Sequence, residues 1–269
     1  NKRRIFINLF FYFRNFNKCY MERKKLSIVT ICFNAELTIR NTIENVLKYK
    51  NDDVEYIIID GYSNDSTIEI INEYKHSINK IVSEKDSGLY DAMNKGVINS
   101  SGEYIAFLNA DDWYEKEFIN NCLSAIETNR GDIYYGDVIV PKHKVNKLYI
   151  SQKPSLTKLY FKGMSIFHPS MCVKREILLK HPFDIAFDIV SDYGLVVELC
   201  QKKYKFVKVN RMITYFSEGG VSSTFLKRIS EGIRIRKKLG VPITIIIIST
   251  LIRVSITLLT KFKNIVWRS

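Results

Sequence analysis

From Leu26 onward, apolar positions recur in two alternating patterns. Leu26–Cys32 is a continuous apolar run that stops at Phe33-Asn34-Ala35, and Ile39, Ile43, Val46 and Leu47 then repeat at helical spacing. Val54–Ile59 is a second run, closed by Asp60-Gly61. Asp65 reads as the N-cap of a helix carrying Ile68, Ile70, Ile71 and Tyr74. Lys80–Ser83 predicts a third strand, Leu89–Asn99 a helix, and Tyr104–Leu108 a fourth strand that ends at Asn109-Ala110-Asp111-Asp112. Phe118, Cys122, Ala125 and Ile126 mark another helix, and Ile133–Val138 another strand.

Strands alternating with helices of this length imply right-handed crossovers and a parallel sheet covered on both faces. Past Gly136 the alternation fails: residues 140–226 mix short strand-like runs with helices at Lys174–Lys180 and Ser191–Lys202. That pattern predicts a second, smaller lobe sharing the core. In such sheets ligands bind beyond the carboxyl ends of the strands. Asn34, Asp60, Glu84–Asp86 and Asp111–Asp112 should therefore gather on one rim.

With 269 residues, 46% hydrophobic and 26% charged, the chain is long and apolar enough for a sizeable core, and disorder is excluded. Five cysteines, none spaced Cys-x-x-Cys, argue against a disulfide framework or structural zinc and for a reducing compartment. The net charge of +13 lies at the two ends. Residues 1–25 hold eight basic residues and one acidic, residues 227–269 ten and one, and the body 26–226 is mildly acidic. Basic ends beside apolar runs suggest an anionic membrane surface rather than nucleic acid. Ile5–Phe13 is too short to span a bilayer; residues 1–20 are read either as a membrane-surface anchor or as upstream sequence outside the protein proper. Val241–Thr260 has spanning length but carries Arg253 near its middle, so shallow insertion or a membrane-facing hairpin is expected over a core helix.

Phosphate-loop signatures are absent. The rim offers carboxylates instead, and a hard cation such as Mn²⁺ or Mg²⁺ takes oxygen ligands and bridges phosphate oxygens. Taken alone, Asp111-Asp112 would more often be a turn or a cap ahead of a helix over Trp113–Asn129. Its company changes the odds: Thr30-Ile31-Cys32-Phe33-Asn34, Asp60-Gly61-Tyr62-Ser63-Asn64-Asp65-Ser66-Thr67, Ser83 through Gly96, and Asn109-Ala110-Asp111-Asp112 follow in order at compatible spacings. Together they resemble the family 2 glycosyltransferases of GT-A fold, in particular those of bacterial polysaccharide assembly, over about residues 26–222.

The resemblance implies an α/β, Rossmann-like and mostly parallel central sheet with helices on both faces. A nucleotide-sugar half (26–138) would be joined to a smaller mixed acceptor half (139–222), and an apolar helical membrane-associating segment (223–269) would follow. It implies donor contacts at Phe33, Asn34, Glu36, Asp60, Ser63, Asp86, Gly88, Asp91, Asn94, Asn109 and Ala110, with Asp65 kept as a cap and Lys95 equally well a structural residue. Asp111 would be the principal metal ligand and Asp112 the second, because position 109 is Asn rather than the acidic residue of the family's Asp-x-Asp form. Asp192 matches the general base, with Asp184 and Asp188 in reserve. His168 matches a position near acceptor or metal, although a lone His between Phe and Pro is as often structural. Residues 217–222 resemble a loop that closes over the donor diphosphate.

The implied reaction is inverting transfer from a nucleotide sugar, a UDP-sugar, to a lipid-linked (polyprenyl-diphosphate) saccharide at the cytoplasmic face of a membrane. Two alternatives stand beside it: a sugar nucleotidyltransferase, whose basic Gly-rich loop after the first strand is missing here, and an inactive binding subunit of an assembly complex.

Overall fold

A computed structural model describes residues 24–128, 130–142, 146–217 and 225–266, and for 256–266 the backbone only. Most of the N-terminal extension, and residues 218–222 of the expected closing loop, lie outside the described residues.

The first half follows the predicted alternation: β1 (Leu26–Cys32), α1 (Ile39–Tyr49), β2 (Val54–Asp60), α2 (Thr67–Glu73), β3 (Lys80–Ser83), α3 (Leu89–Asn99) and β4 (Tyr104–Asn109). These strands lie side by side in the order β3-β2-β1-β4, all parallel. Side chains alternate across each strand. Val29, Ile31, Ile57, Ile59, Ile105 and Phe107 enter one core, while Ile28, Tyr56, Ile58, Ala106 and Leu108 enter the core on the opposite face. Both faces are apolar, so the runs are continuous and each face needs a helical cover. Helix α3 packs on the first face through Tyr90, Ala92, Met93 and Val97; α1 covers the second through Ile39, Ile43 and Val46.

Beyond β4 the expectation of a mostly parallel sheet gives way to a mixed one. The next elements are β5 (Trp113–Tyr114), α4 (Phe118–Glu127), β6 (Ile133–Val140), β7 (Lys147–Tyr149) and α5 (Leu156–Phe161). They are followed by β8 (Met171–Lys174), α6 (Arg175–Lys180), α7 (Ser191–Gln201) and β9 (Phe206–Tyr215). The sheet continues β4-β8-β6-β9-β5, with β8 antiparallel to both neighbours and β7 on the side of β6. Strand β8 reaches the sheet from the second lobe and not over a crossover helix, which frees it to run the other way. The lobe therefore shares the sheet as well as the core. The helix expected straight after Asp112 starts at Phe118, because Trp113 and Tyr114 first pair with Tyr215 and Thr214.

The chain ends in a helical hairpin, α8 (Phe225–Lys238) and α9 (Ile243–Val266), turned at Gly240 and Pro242. No helix among the described residues is long and apolar enough to cross a membrane. Helix α9 buries Ile246 and Ser249 against the body and leaves Ile243, Ile247, Ile248, Leu251 and Ile252 exposed. The four cysteines of the described residues are free thiols.

Strand β6 meets β9 across a register shift between Tyr135 and Asp137. There a Cβ on Gly136 would stand 1.7 Å from the Met212 carbonyl oxygen, which is backbone and cannot swing aside. Gly136→Ala should cost about 1–3 kcal/mol, the usual range for overpacking, read as a lower Tm and urea midpoint.

Candidate active site

In the strand order, β1 lies between β2 and β4, so the chain reverses its direction of winding at β1 and a crevice opens at the strand ends. The register places Cys32 beside Asp60 and Ile31 beside Asn109, which brings the loops after β1, β2 and β4 to one edge. A cavity of about 1570 Å³ opens there, walled by Phe33, Asn34, Glu36, Asp86, Gly88, Asn109, Ala110 and Asp111. The second lobe and the C-terminal hairpin complete the wall with His168, Asp192, Arg236 and Arg253.

The first two loops are stitched together. Backbone N–H groups of Asn34, Ala35 and Glu36 donate to Ser63 Oγ (2.8 Å), Thr67 Oγ1 (2.7 Å) and Asp65 Oδ2 (3.2 Å). In return the N–H groups of Asn64 and Ser66 donate to the Asn34 and Glu36 side chains. Asn34 sits at φ +49° to allow this, a left-handed conformation that Asn tolerates. Asp65 also accepts from the Thr67 N–H, but the N-cap of α2 is Ser66, one residue later than the cap expected at Asp65.

Asp60 is 0% exposed and lies behind the cavity wall. Its carboxylate accepts from the Ser63 N–H and hydroxyl and from Ser83 Oγ (2.7 Å). Here Asp60 and Ser63 brace the turn that shapes the pocket rather than lining it. Asp86 does line the pocket and accepts from the Gly88 N–H (2.9 Å).

Asp91 and Asn94, expected at the donor, are placed elsewhere. Asp91 accepts from the Ser87 N–H and lies 3.7 Å from Lys95. Asn94 spends both ends of its amide on the Phe183 backbone (2.8 and 2.9 Å), joining α3 to the second lobe. Lys95 holds the Lys85 carbonyl and Glu84, the structural role.

The loop after β4 is held from three sides. Thr42 Oγ1 on α1 donates to the Ala110 and Asp112 carbonyls (both 2.9 Å), and Asn45 exchanges two hydrogen bonds with Tyr114. Ser217 donates from its hydroxyl to the Asp111 carbonyl (2.6 Å) and from its N–H to Asp112 Oδ1 (2.9 Å). Asp111 lines the cavity, whereas Asp112 is 0% exposed and also accepts from Asn109 Nδ2 (3.0 Å). The second metal ligand expected at Asp112 is thus a buried anchor for its neighbours. Asn109 Oδ1 is buried with no hydrogen-bond partner among the described residues.

Asp192 opens α7 and faces the same cavity as Asp111. Its Oδ1 accepts from the Tyr90 hydroxyl (3.0 Å) and the Tyr193 N–H (2.7 Å), and Oδ2 lies 3.5 Å from His168 Nδ1. His168 Nε2 is buried without a partner among the described residues. The reserve carboxylates are engaged on the hairpin: Asp184 with Lys238 (2.6 Å) and Asp188 with Lys227. Sequence reasoning did not assign Tyr90, Thr42 or Asn45. Tyr90 stands within the Leu89–Gly96 motif, but nothing local says that it reaches a residue 102 positions away.

This is the architecture of a sugar-transferring enzyme of GT-A fold. By structure the chain is similar to TarS of S. aureus in complex with UDP-GlcNAc, at TM-score 0.66 and 15% identity over 81% of this chain and 66% of that one. It is likewise similar to the mannosyltransferase PcManGT of Pyrobaculum calidifontis in complex with GDP-Man and Mn²⁺, at TM-score 0.60 and 15% identity over 81% and 64% of the two chains. The profile of glycosyl transferase family 2 matches residues 27–183, and the chain belongs to that family. A PGL/p-HBAD biosynthesis glycosyltransferase of Mycobacterium tuberculosis is 25% identical over 85% of this chain and 91% of its own. The Escherichia coli UDP-Glc:alpha-D-GlcNAc-diphosphoundecaprenol beta-1,3-glucosyltransferase WfaP is 27% identical over 80% and 87%. The protein is a glycosyltransferase, which sets aside the nucleotidyltransferase alternative.

Two substitutions test this geometry. A Cβ on Gly61 would stand 2.6 Å from Asp86 Oδ2 and 3.4 Å from the Phe33 ring. Gly61→Ala should displace Asp86 and weaken nucleotide binding by about tenfold, measured by UDP titration, with little change in Tm. The Asp112 carboxyl is pushed up to about 8, first by burial and then by the Asp111 charge. The unfolded chain titrates it in the ordinary carboxylate range, so the folded state binds the proton more tightly. The stability this confers is complete below about pH 4 and is lost as pH rises through about 8. In EDTA, the wild-type Tm should fall between about pH 6 and pH 8.5, and Asp112→Asn should flatten that fall.

Proposed function

We propose that the chain is an inverting glycosyltransferase. It would move a sugar from a nucleotide-diphosphate donor, a UDP-sugar, to a lipid-linked saccharide in cell-surface polysaccharide synthesis. The observation that carries this reading is the single cavity shared by Asp111 and Asp192, two carboxylates from opposite lobes. The names of WfaP and TarS, one specifying a lipid-diphosphate acceptor and the other a bound UDP-sugar, support the substrate classes.

The donor lies along the strand ends, its nucleoside against Phe33, Asn34 and Asp86 and its diphosphate toward Ala110 and Asp111. An acceptor hydroxyl attacks the anomeric carbon from the Asp192 side. Asp192 takes the hydroxyl proton as the new C–O bond forms, and the bond to the nucleoside diphosphate breaks on the opposite face, inverting the centre. Tyr90 and the Tyr193 N–H fix Oδ1, leaving Oδ2 on the side of His168 to receive the proton.

The residues fit a divalent cation: all donors are oxygen, Asp111 faces the cavity, and Asn109 Oδ1 is buried without a partner among the described residues. No group of three or more His, Cys, Asp or Glu among the described residues forms a protein cage. Asp111 and Asn109 would hold a cation such as Mn²⁺ or Mg²⁺. When bound, it supplies Lewis-acid stabilisation of the departing diphosphate.

The exposed apolar face of α9, with basic α8 beside it, supports peripheral attachment to the cytoplasmic face of an anionic membrane.

Asp192→Asn should bind UDP within about twofold of wild type and lose about 10²–10⁴-fold in transfer rate, measured with a UDP-sugar panel and Mn²⁺. Transfer at full rate in that variant would refute the base assignment.

A further inference from the structure

The segment that delivers Asp192 to the cavity is held by the C-terminal hairpin. Residues 184–190 lead into α7, and Asp188, Ile189 and Val190 line the same cavity as Asp192. At its start the segment closes on α7 itself, where the Asp184 N–H donates to Ser191 Oγ (2.6 Å). Farther along, the brace comes from α8. Glu231 on that helix is 4% exposed. One of its carboxylate oxygens accepts from the Ile189 N–H (2.9 Å) and the other from the Asp188 N–H (3.3 Å).

Two further contacts join α8 to this segment: Lys227 pairs with Asp188, and Lys238 with Asp184 (2.6 Å). Both lie at the surface, where an ion pair contributes little. The buried contact is of another kind. Burying a carboxylate is costly unless hydrogen bonds compensate it, and bonds to a charged acceptor are about twice as strong as neutral ones. Two successive N–H groups received by one buried carboxylate fix the direction of the main chain there. Val190 follows as the N-cap of α7, and Asp192 stands in its first turn. Helix α8 also presses on that turn directly, since a Cβ on Gly194 would stand 2.1 Å from Ile235 Cδ1.

We propose that Glu231 is a positioning residue for transfer: through the Asp188 and Ile189 N–H groups it holds the start of α7, and with it the Asp192 carboxylate, where the acceptor hydroxyl is met. This rests on the glycosyltransferase reading and deepens it. Tyr90 and the Tyr193 N–H orient the carboxylate, whereas Glu231 sets where the main chain puts it. The C-terminal hairpin thereby becomes part of the working site, although the family profile ends at residue 183.

Glu231→Gln keeps one acceptor oxygen and turns an amide toward the second N–H, and Glu231→Ala removes both acceptors. With the full chain, kcat for UDP release from the UDP-sugar panel with Mn²⁺ should fall about tenfold in Glu231→Gln and further in Glu231→Ala, with UDP affinity within about twofold of wild type. Lys227→Gln, which removes only the surface pair, should stay within about twofold. Amide hydrogen exchange in a peptide covering residues 186–193 should rise about tenfold in Glu231→Gln, with β1 to β4 unchanged. Unchanged exchange in that peptide would mean that Glu231 does not hold the segment, and faster exchange at wild-type kcat that its placement does not govern transfer; either result overturns the proposal. So does an equal loss of kcat and UDP affinity, the mark of a general loss of structure. Should Glu231→Ala not fold, Glu231→Gln decides. Full-rate transfer in Asp192→Asn would defeat the base assignment separately, since the exchange measurement reports on the brace whichever group takes the proton.

Discussion

The hydrogen bond from Tyr90 to Asp192 links the helix on the parallel strands to the carboxylate of the second lobe. Tyr90 belongs to α3, which lies on the parallel strands, and Asp192 begins α7 in the second lobe. Burial raises the Tyr90 phenol far above its ordinary range, so it donates and stays neutral. A carboxylate that must accept a proton needs one oxygen fixed and one available. The Tyr90 hydroxyl and the Tyr193 N–H converge on the same oxygen and provide that asymmetry. The reciprocal amide contact of Asn94 with Phe183 repeats the link one turn along α3. Rigid registration of the two lobes, more than any single charge, makes the shared cavity a site.

Much of the fold was legible because the parallel strands are buried on both faces and therefore appear as unbroken apolar runs. Strands β1 to β4 and helices α1 and α3 follow directly from period and punctuation. Strand β8 was not legible: four residues, Met171–Lys174, carry too little pattern to declare a direction. The rim was legible as a set of positions, since strand ends must converge. Which way each rim side chain turns was not. Asp60 and Asp86 look alike in sequence, yet Ser63 and Ser83 draw the first inward and leave the second in the wall. Asp111 and Asp112 differ for the same reason: Ser217, more than a hundred residues away, claims the second. Long-range donors decide these orientations, and no local window contains them.

The cavity holds both signs of charge. Its strand-end side carries Asp86 and Asp111, the latter raised by burial, and its helical side carries Asp192 together with the guanidiniums of Arg236 and Arg253.

Arg253 interrupts the apolar run of α9 and anchors that helix to the carbonyls ending α5. A helix fastened in this way cannot roll or slide independently of the catalytic body. If its greasy side rests in a lipid headgroup layer, the chamber's altitude above the hydrocarbon is fixed by the same bolt. Under the proposed lipid-linked acceptor, distance from the bilayer would then gauge which sugar ring reaches the chamber.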